Sequence, residues 1–205
     1  MDKKSENTQF QNATASTLKA ISGDLDSERE IKFSGSSSYL SSKEIRLPQI
    51  LKELDSTQLT KLRGESDKIA LKIKYHDPIL HNKHLPSSDL SSKIFQFAED
   101  ARIEAVGSKN LVGIKNNLQN LVEEKFKETI LPIPGGDDKE ALVNALHLVI
   151  REKITSCASP ANTSVSLEKW RPWINSKIGS LLNQLAENTQ DQEIFARKTR
   201  ELLTA

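Results

Sequence analysis

Asp89-Leu90-Ser91-Ser92-Lys93-Ile94-Phe95-Gln96-Phe97-Ala98-Glu99-Asp100-Ala101-Arg102-Ile103-Glu104-Ala105-Val106-Gly107-Ser108 is the stretch whose reading decides the fold. Leu90, Ile94, Phe97, Ala101 and Ala105 recur at steps of 4, 3, 4 and 4, the spacing of one face of an α-helix. The pattern predicts a helix capped by Asp89 and closed by Gly107-Ser108, with that stripe in a core. Glu99, Arg102 and Glu104 then fall on its polar edge. Opposite charges three or four residues apart support a helix by about 0.2–0.5 kcal/mol, and like charges oppose it by as much. Asp100 and Glu104 are four apart, so this edge either invites a cation or a basic partner side chain, or is a solvated face laced by its own salt bridges.

The same period extends in both directions. Downstream, Ser108 can cap a helix carrying Leu111, Ile114, Leu118, Leu121 and Val122. Pro132-Ile133-Pro134-Gly135-Gly136 is a clear break. Asp137 or Asp138 opens a helix with Leu142, Leu146, Val149 and Ile150. Ser159 to Ser164 reads as a loop, and Pro172 in Trp170-Arg171-Pro172-Trp173 as a residue near a helix start. Ile174, Ile178, Leu181 and Leu185 follow, and a last helix holds Ile194, Phe195 and Leu202.

Upstream, Tyr75-His76-Asp77-Pro78 ends a helix that Asp55 or Ser56 opens and that carries Leu59, Leu62, Ile69 and Ile73. A first helix runs from about Thr8 through Leu18 and Ile21 to a stop at Gly23. Between them, Ile31–Phe33 and Ile45–Leu47 alternate as short strands across a serine-rich loop, Ser34 to Ser42, with Pro48 at the edge. They predict a small β-hairpin near the N-terminus. The expected fold is therefore mostly α: an irregular bundle of about six or seven helices, read as a single helical domain over residues 1–205.

Composition narrows the function. Lys and Arg number 29 against 28 Asp and Glu, spread evenly along the chain, which speaks against an electrostatically driven nucleic-acid binder and against a membrane-surface protein. The only cysteine, Cys157, permits no internal disulfide and fits a reducing compartment. The N-terminus lacks an apolar signal core, and Ala141 to Ile150, the longest apolar run, is too short and too polar to span a bilayer. A cytoplasmic protein is expected.

Several chemistries find no motif. No glycine is followed by lysine, so no phosphate-cradling loop can form, and there is no paired-cysteine zinc motif, HExxH or GxSxG. The closest approach to an Asp-x-Ser-x-Ser metal motif, Asp89 to Lys93, ends in lysine and opens a helix. His76, Asp77, His81 and His84 form either a divalent-cation site or a capped turn beside a short helix with a solvated histidine face. Trp170, Arg171 and Trp173 are either an interface hot spot or the cap of a core.

Longer strings resemble a known family. Leu62-Arg63-Gly64-Glu65-Ser66-Asp67, Ile69 to Ile73, His76-Asp77-Pro78, and above all Ala98 to Ser108 resemble the CobT subunit of aerobic cobaltochelatase. Gly113 to Leu118, Trp170-Arg171-Pro172 and Asp191 to Ala196 resemble later segments of that family. The resemblance implies a complex with an AAA+ ATPase subunit and a large corrinoid-binding subunit. That complex inserts cobalt into a corrin ring, hydrogenobyrinic acid a,c-diamide, using ATP and magnesium. The family's acidic linker and C-terminal von Willebrand-type domain have no counterpart up to Ala205. The chain therefore reads as the N-terminal domain alone, binding no cofactor itself. It is expected to be a non-catalytic docking domain, or else a free-standing helical adaptor or a remnant without a chelatase role. Glu99, Arg102, Glu104, Trp170, Arg171 and Trp173 are its expected partner-contact residues.

Overall fold

A computed structural model describes residues 3–25, 28–49, 56–135 and 138–205. Among these the fold is mostly helical, with eight helices and one three-stranded sheet. The chain divides into two compact units, residues 1–75 with 110–124, and residues 76–109 with 125–205. The candidate caps Asp55 and Asp137 lie outside the described residues.

In the first unit, α1 (Lys3–Ser22) packs on α2 (Ser56–Tyr75). α1 begins earlier than Thr8, and Gly23 stops it as expected. Its φ of 72° is the left-handed region that glycine enters without strain, and its N–H reaches the Lys19 carbonyl at 3.1 Å. Leu18, Leu62, Ile69 and Ala70 form a core with Ile45 and Leu47 from the sheet.

That sheet corrects the expected hairpin. β1 (Glu30–Phe33) runs parallel to β3 (Glu44–Leu47), pairing Ile31 with Ile45 and Phe33 with Leu47. The antiparallel partner of β3 is β2 (Tyr39–Leu40), inside the serine-rich loop. Ser41 makes the turn, accepting on its Oγ from the Glu44 N–H at 3.0 Å and donating its own N–H to the Glu44 carbonyl at 2.9 Å. The order is β1-β3-β2, so β3 is the central strand.

Residues 112–124 of α5 (Val112–Phe126) also belong to this unit. Gly64 of α2 sits where a Cβ would stand 2.9 Å from the Asn117 carbonyl oxygen and 3.1 Å from Leu121 Cβ. The two helices approach that closely only because position 64 has no side chain. Beside it the buried Asp67 carboxylate accepts from Asn117 Nδ2 at 2.7 Å.

The second unit holds α3 (Pro78–His84), α4 (Asp89–Ser108), α6 (Lys139–Thr155), α7 (Ala161–Glu187) and α8 (Gln192–Leu202). α4 packs on α6 and α8, α7 on α6 and α8, and α3 on α8. Asp77 caps α3 and Asp138 caps α6. The cap of α4 is Ser88 rather than Asp89, and Ser108 turns its hydroxyl back to the Glu104 carbonyl at 2.7 Å instead of capping the next helix.

α4 is a helix over the expected span, but its buried face is rotated. Ile94, Phe95, Ala98, Ala101 and Ile103 are buried, whereas Leu90, Phe97 and Ala105 are half-buried. Phe97 stacks on His147 with centroids 4.1 Å apart, and Lys125 Nζ lies 4.7 Å from its ring centroid. Pro172 also departs from expectation. It lies inside the 27-residue α7, which already begins at Ala161 after Pro160. The expected loop Ser159 to Ser164 is instead a helix start. Thr163 hydrogen-bonds the Pro160 carbonyl at 2.8 Å, and Asn162 Nδ2 donates to the carbonyls of Phe126, Lys127 and Thr129.

Candidate functional site

The residues singled out on α4 are not a solvated edge. Glu99 and Arg102 are 3% and 2% exposed. One turn apart on the helix, they form a double contact, Arg102 Nε to Glu99 Oε2 at 2.8 Å and Nη2 to Oε1 at 2.9 Å. His76 Nδ1 lies 2.7 Å from Glu99 Oε1. A carboxylate only accepts, so that nitrogen carries the hydrogen. Burial alone would push the Glu99 carboxyl up, but the hydrogen bonds from Arg102 and His76 outweigh it and hold the group below its ordinary value of 4.5.

The same network fastens α8. Arg102 Nη1 donates to the Thr189 carbonyl at 3.1 Å, just before the α8 cap. Gln192 bridges back to the turn before α3, accepting from the Asp77 N–H at 2.9 Å and donating to the Asp77 carbonyl at 3.0 Å. Farther along, His84 Nε2 lies 2.9 Å and Lys83 Nζ 3.2 Å from Glu193 Oε1. Those two bonds, His84 first, hold the Glu193 carboxyl below its ordinary value.

Glu104 points the other way along α4, toward Arg151 of α6. The pair is bidentate at 2.9 and 2.6 Å, with side chains 11% and 3% exposed. Charges this deeply buried survive only when paired, because removing each from water costs several kcal/mol. Glu99, Arg102 and Glu104 therefore brace α4 against its neighbours. Gln192, Thr189 and Arg151, absent from the candidate set, complete the bracing. The only sequence signal for them was the Asp191-Gln192-Glu193 segment.

The histidines do not converge. His76 faces Glu99, His84 faces Glu193, and His81 is buried rather than on a solvated face, with its ring 4.9 Å from His76 and 5.1 Å from Phe95. Among the described residues no three His, Cys, Asp or Glu side chains are placed to hold a metal ion.

On α7 the second candidate cluster divides. Trp170 is buried, and its indole N–H reaches the Pro132 carbonyl at 2.7 Å. Trp173 is 46% exposed and meets the Trp170 ring edge-on, with centroids 6.2 Å apart. The two rings line a hollow of about 480 Å³ with Pro134, Gly135 and Leu142. Arg171 points elsewhere, bonded to Glu152 at 2.6 Å and Glu168 at 2.9 Å. Burial lowers the affinity of its guanidinium for its proton, and the two carboxylates more than restore it, so the group stays charged.

Among the described residues no helix is long and apolar enough to cross a membrane. No solved structure matches the chain. A family model described as cobalamin biosynthesis protein CobT matches residues 4–205.

Proposed function

The chain belongs to the CobT family of cobalamin biosynthesis proteins, and from that premise we propose that it is a non-catalytic docking and assembly module of a cobalt-inserting complex. Its partners in this reading are an AAA+ ATPase subunit and a large corrinoid-binding subunit. Cobalt is the substrate of the whole assembly, and ATP with magnesium belongs to the ATPase subunit. The observation that carries the reading is the family match, which runs through both compact units.

Two features support a docking role over a catalytic one. The sequence holds no phosphate-cradling loop. Glu99, Arg102 and Glu104 of α4, which could have formed an acid–base site, are instead buried and paired, Glu99 with Arg102 and Glu104 with Arg151. Near the middle of α7, Trp173 faces outward, a half-exposed indole meeting the buried Trp170 edge-on. Tryptophan and arginine carry a disproportionate share of interface energy, so Trp173 is assigned as the partner-contact anchor, while Glu99, Arg102 and Glu104 hold α4 in place from within.

The test is capture of the purified ATPase subunit on the immobilised chain, with and without nucleotide. Retention is expected, and Trp173→Ser should weaken it about tenfold, the equivalent of 1.4 kcal/mol, at an unchanged melting temperature. No retention by the unaltered chain under either condition overturns the reading.

A further inference from the structure

Both tryptophans of the chain line one hollow of about 480 Å³, a volume within the range that takes a ligand. Trp170 is its fixed wall, because the ring is buried and its indole N–H is held by the Pro132 carbonyl. Trp173 meets that ring edge-on and remains half-exposed. Leu142, Pro134 and Gly135 complete the apolar lining. Asp138 and Lys139 also line it from the start of α6. One carboxylate and one ammonium offset each other, so the α6 side of the hollow has no charge preference.

The α7 side is different. From Lys169 to Ala186, α7 carries Lys169, Arg171 and Lys177 and no carboxylate. Arg171 is satisfied at Glu152 and Glu168. Lys169 and Lys177 are exposed, and neither makes an ion pair or a side-chain hydrogen bond among the described residues. Each lies four residues from Trp173, one before it and one after, so the three side chains share one ridge of the helix. Val165 extends that ridge by another exposed apolar side chain. The result is an exposed indole between two uncompensated ammonium groups, beside a hollow.

This arrangement selects its occupant. Lys169 and Lys177 are eight residues apart, about 12 Å along a helix, with Trp173 midway. In an extended chain, side chains at positions one, three and five share a face and span about 13 Å. Two carboxylates at the ends of such a stretch reach both lysines, and an apolar side chain between them reaches the hollow. A basic segment would be repelled by both lysines. A wholly apolar one would take them out of water without partners, which is costly for a charge. A flat anionic surface would meet the lysines and leave the hollow empty.

We infer that the Lys169–Trp173–Lys177 ridge docks an acidic segment of a partner protein, with an apolar side chain in the tryptophan hollow and a carboxylate at each lysine. The inference rests on the docking reading above and names the kind of segment that docks.

The test titrates the chain with the blocked peptide Glu-Ala-Leu-Ala-Glu and reads tryptophan emission, which reports this hollow alone because the chain has no other tryptophan. A saturable change is expected. Lys169→Gln and Lys177→Gln should each weaken binding about threefold, the worth of one exposed ion pair, and the peptide Gln-Ala-Leu-Ala-Gln should bind about tenfold more weakly. Glu-Ala-Ala-Ala-Glu, which has no side chain for the hollow, should also lose about tenfold. Lys153→Gln, an exposed lysine on α6, should change nothing. All three lysine variants should melt within a degree of the parent. No saturable change in the unaltered chain, equal binding of the Glu and Gln peptides, or unchanged binding by the Lys169→Gln, Lys177→Gln double variant each overturns the inference. So does binding to vesicles of equal parts phosphatidylcholine and phosphatidylserine that the double variant loses, because the ridge is then a membrane contact. Peptide binding in the absence of any ATPase-subunit capture sinks the docking reading and keeps the ridge; capture without peptide binding does the reverse.

Discussion

Arg151 of α6 and Glu104 of α4 form a bidentate pair at 2.9 and 2.6 Å with both side chains removed from water. The main helix-to-helix contact of the second unit is thus pinned by charge as well as by apolar packing. Breaking such a pair from one side strands a buried charge, at a cost of about 3–5 kcal/mol, whereas replacing both partners with apolar residues of similar volume is often neutral. Arg151→Met should therefore destabilise by about that amount in urea unfolding, and Glu104→Leu added to it should recover most of the loss. A double variant no better than the single one would show that the pair does more than satisfy itself.

Arg102→Ala should cost a similar 3–5 kcal/mol, because Glu99 loses both guanidinium contacts. The loss should be directional. Amides of α8 should exchange faster than those of α6, since Arg102 also holds the Thr189 carbonyl. Hydrogen exchange followed by mass spectrometry separates the two helices. Equal acceleration in both would mean that Arg102 does not fasten α8.

Stability should fall with acid through Glu99. Its folded carboxyl titrates below the ordinary 4.5, so the unfolded chain takes up the proton first. The ionised form thus contributes stability above about pH 4.5, and that contribution is lost as pH falls through the lower folded value. Glu99→Gln should flatten the stability profile in that acidic window. An unchanged slope between pH 5 and 2 would contradict the assignment.

Asp67 should behave in the opposite sense. Burial pushes its carboxyl above the ordinary 3.8, against the opposing Asn117 hydrogen bond and the Arg63 charge. The folded chain holds the proton more tightly there, so the favourable contribution exists below pH 3.8 and disappears as pH rises through the folded value. Asp67→Asn keeps an acceptor for Asn117 and should raise the melting temperature at pH 7 by more than at pH 3.

Phe95 and Phe97 provide a direct comparison on one helix. Phe95 is 2% exposed, and its truncation to alanine should cost about 3–5 kcal/mol. Phe97 is half-buried on His147, and its truncation should cost about half as much, since apolar stabilisation follows the area removed from water. Equal costs in chemical denaturation would restore Phe97 to the core.

That comparison shows where the sequence was legible. The helical period of residues 89–108 was plain, because five apolar positions repeat on one stripe. Its rotation was not, because the buried face includes Glu99, Arg102 and Glu104, and charges are rarely buried unless paired. Glu99 and Arg102 pair with each other on α4, but the remaining partners lie elsewhere in the chain, 23 residues from Glu99 for His76 and 47 from Glu104 for Arg151. Likewise Ile31–Phe33 and Ile45–Leu47 alternate as strands in either orientation, so nothing local distinguished a hairpin from the parallel pair. Tyr39-Leu40 was hidden among serines. Pro172 read as a helix start because interior prolines cost a hydrogen bond. Asn162 and Thr163 anchor the true start through contacts with Pro160 and the carbonyls of residues 126–129.

The close approach of Gly64 to Asn117 has a consequence for the order in which the chain is made. The first unit is not finished when its first 75 residues have emerged, because residues 110–124 must return to it. Until residue 124 is synthesised, the face of α2 around Gly64 and Asp67 has no covering helix, and α4 is already in existence. Neither unit can be released by a single cut. A chain ended at Lys109 would keep α1, the sheet and α2 but leave buried Asp67 without Asn117. Any attempt to isolate one unit must therefore splice two segments rather than trim one end.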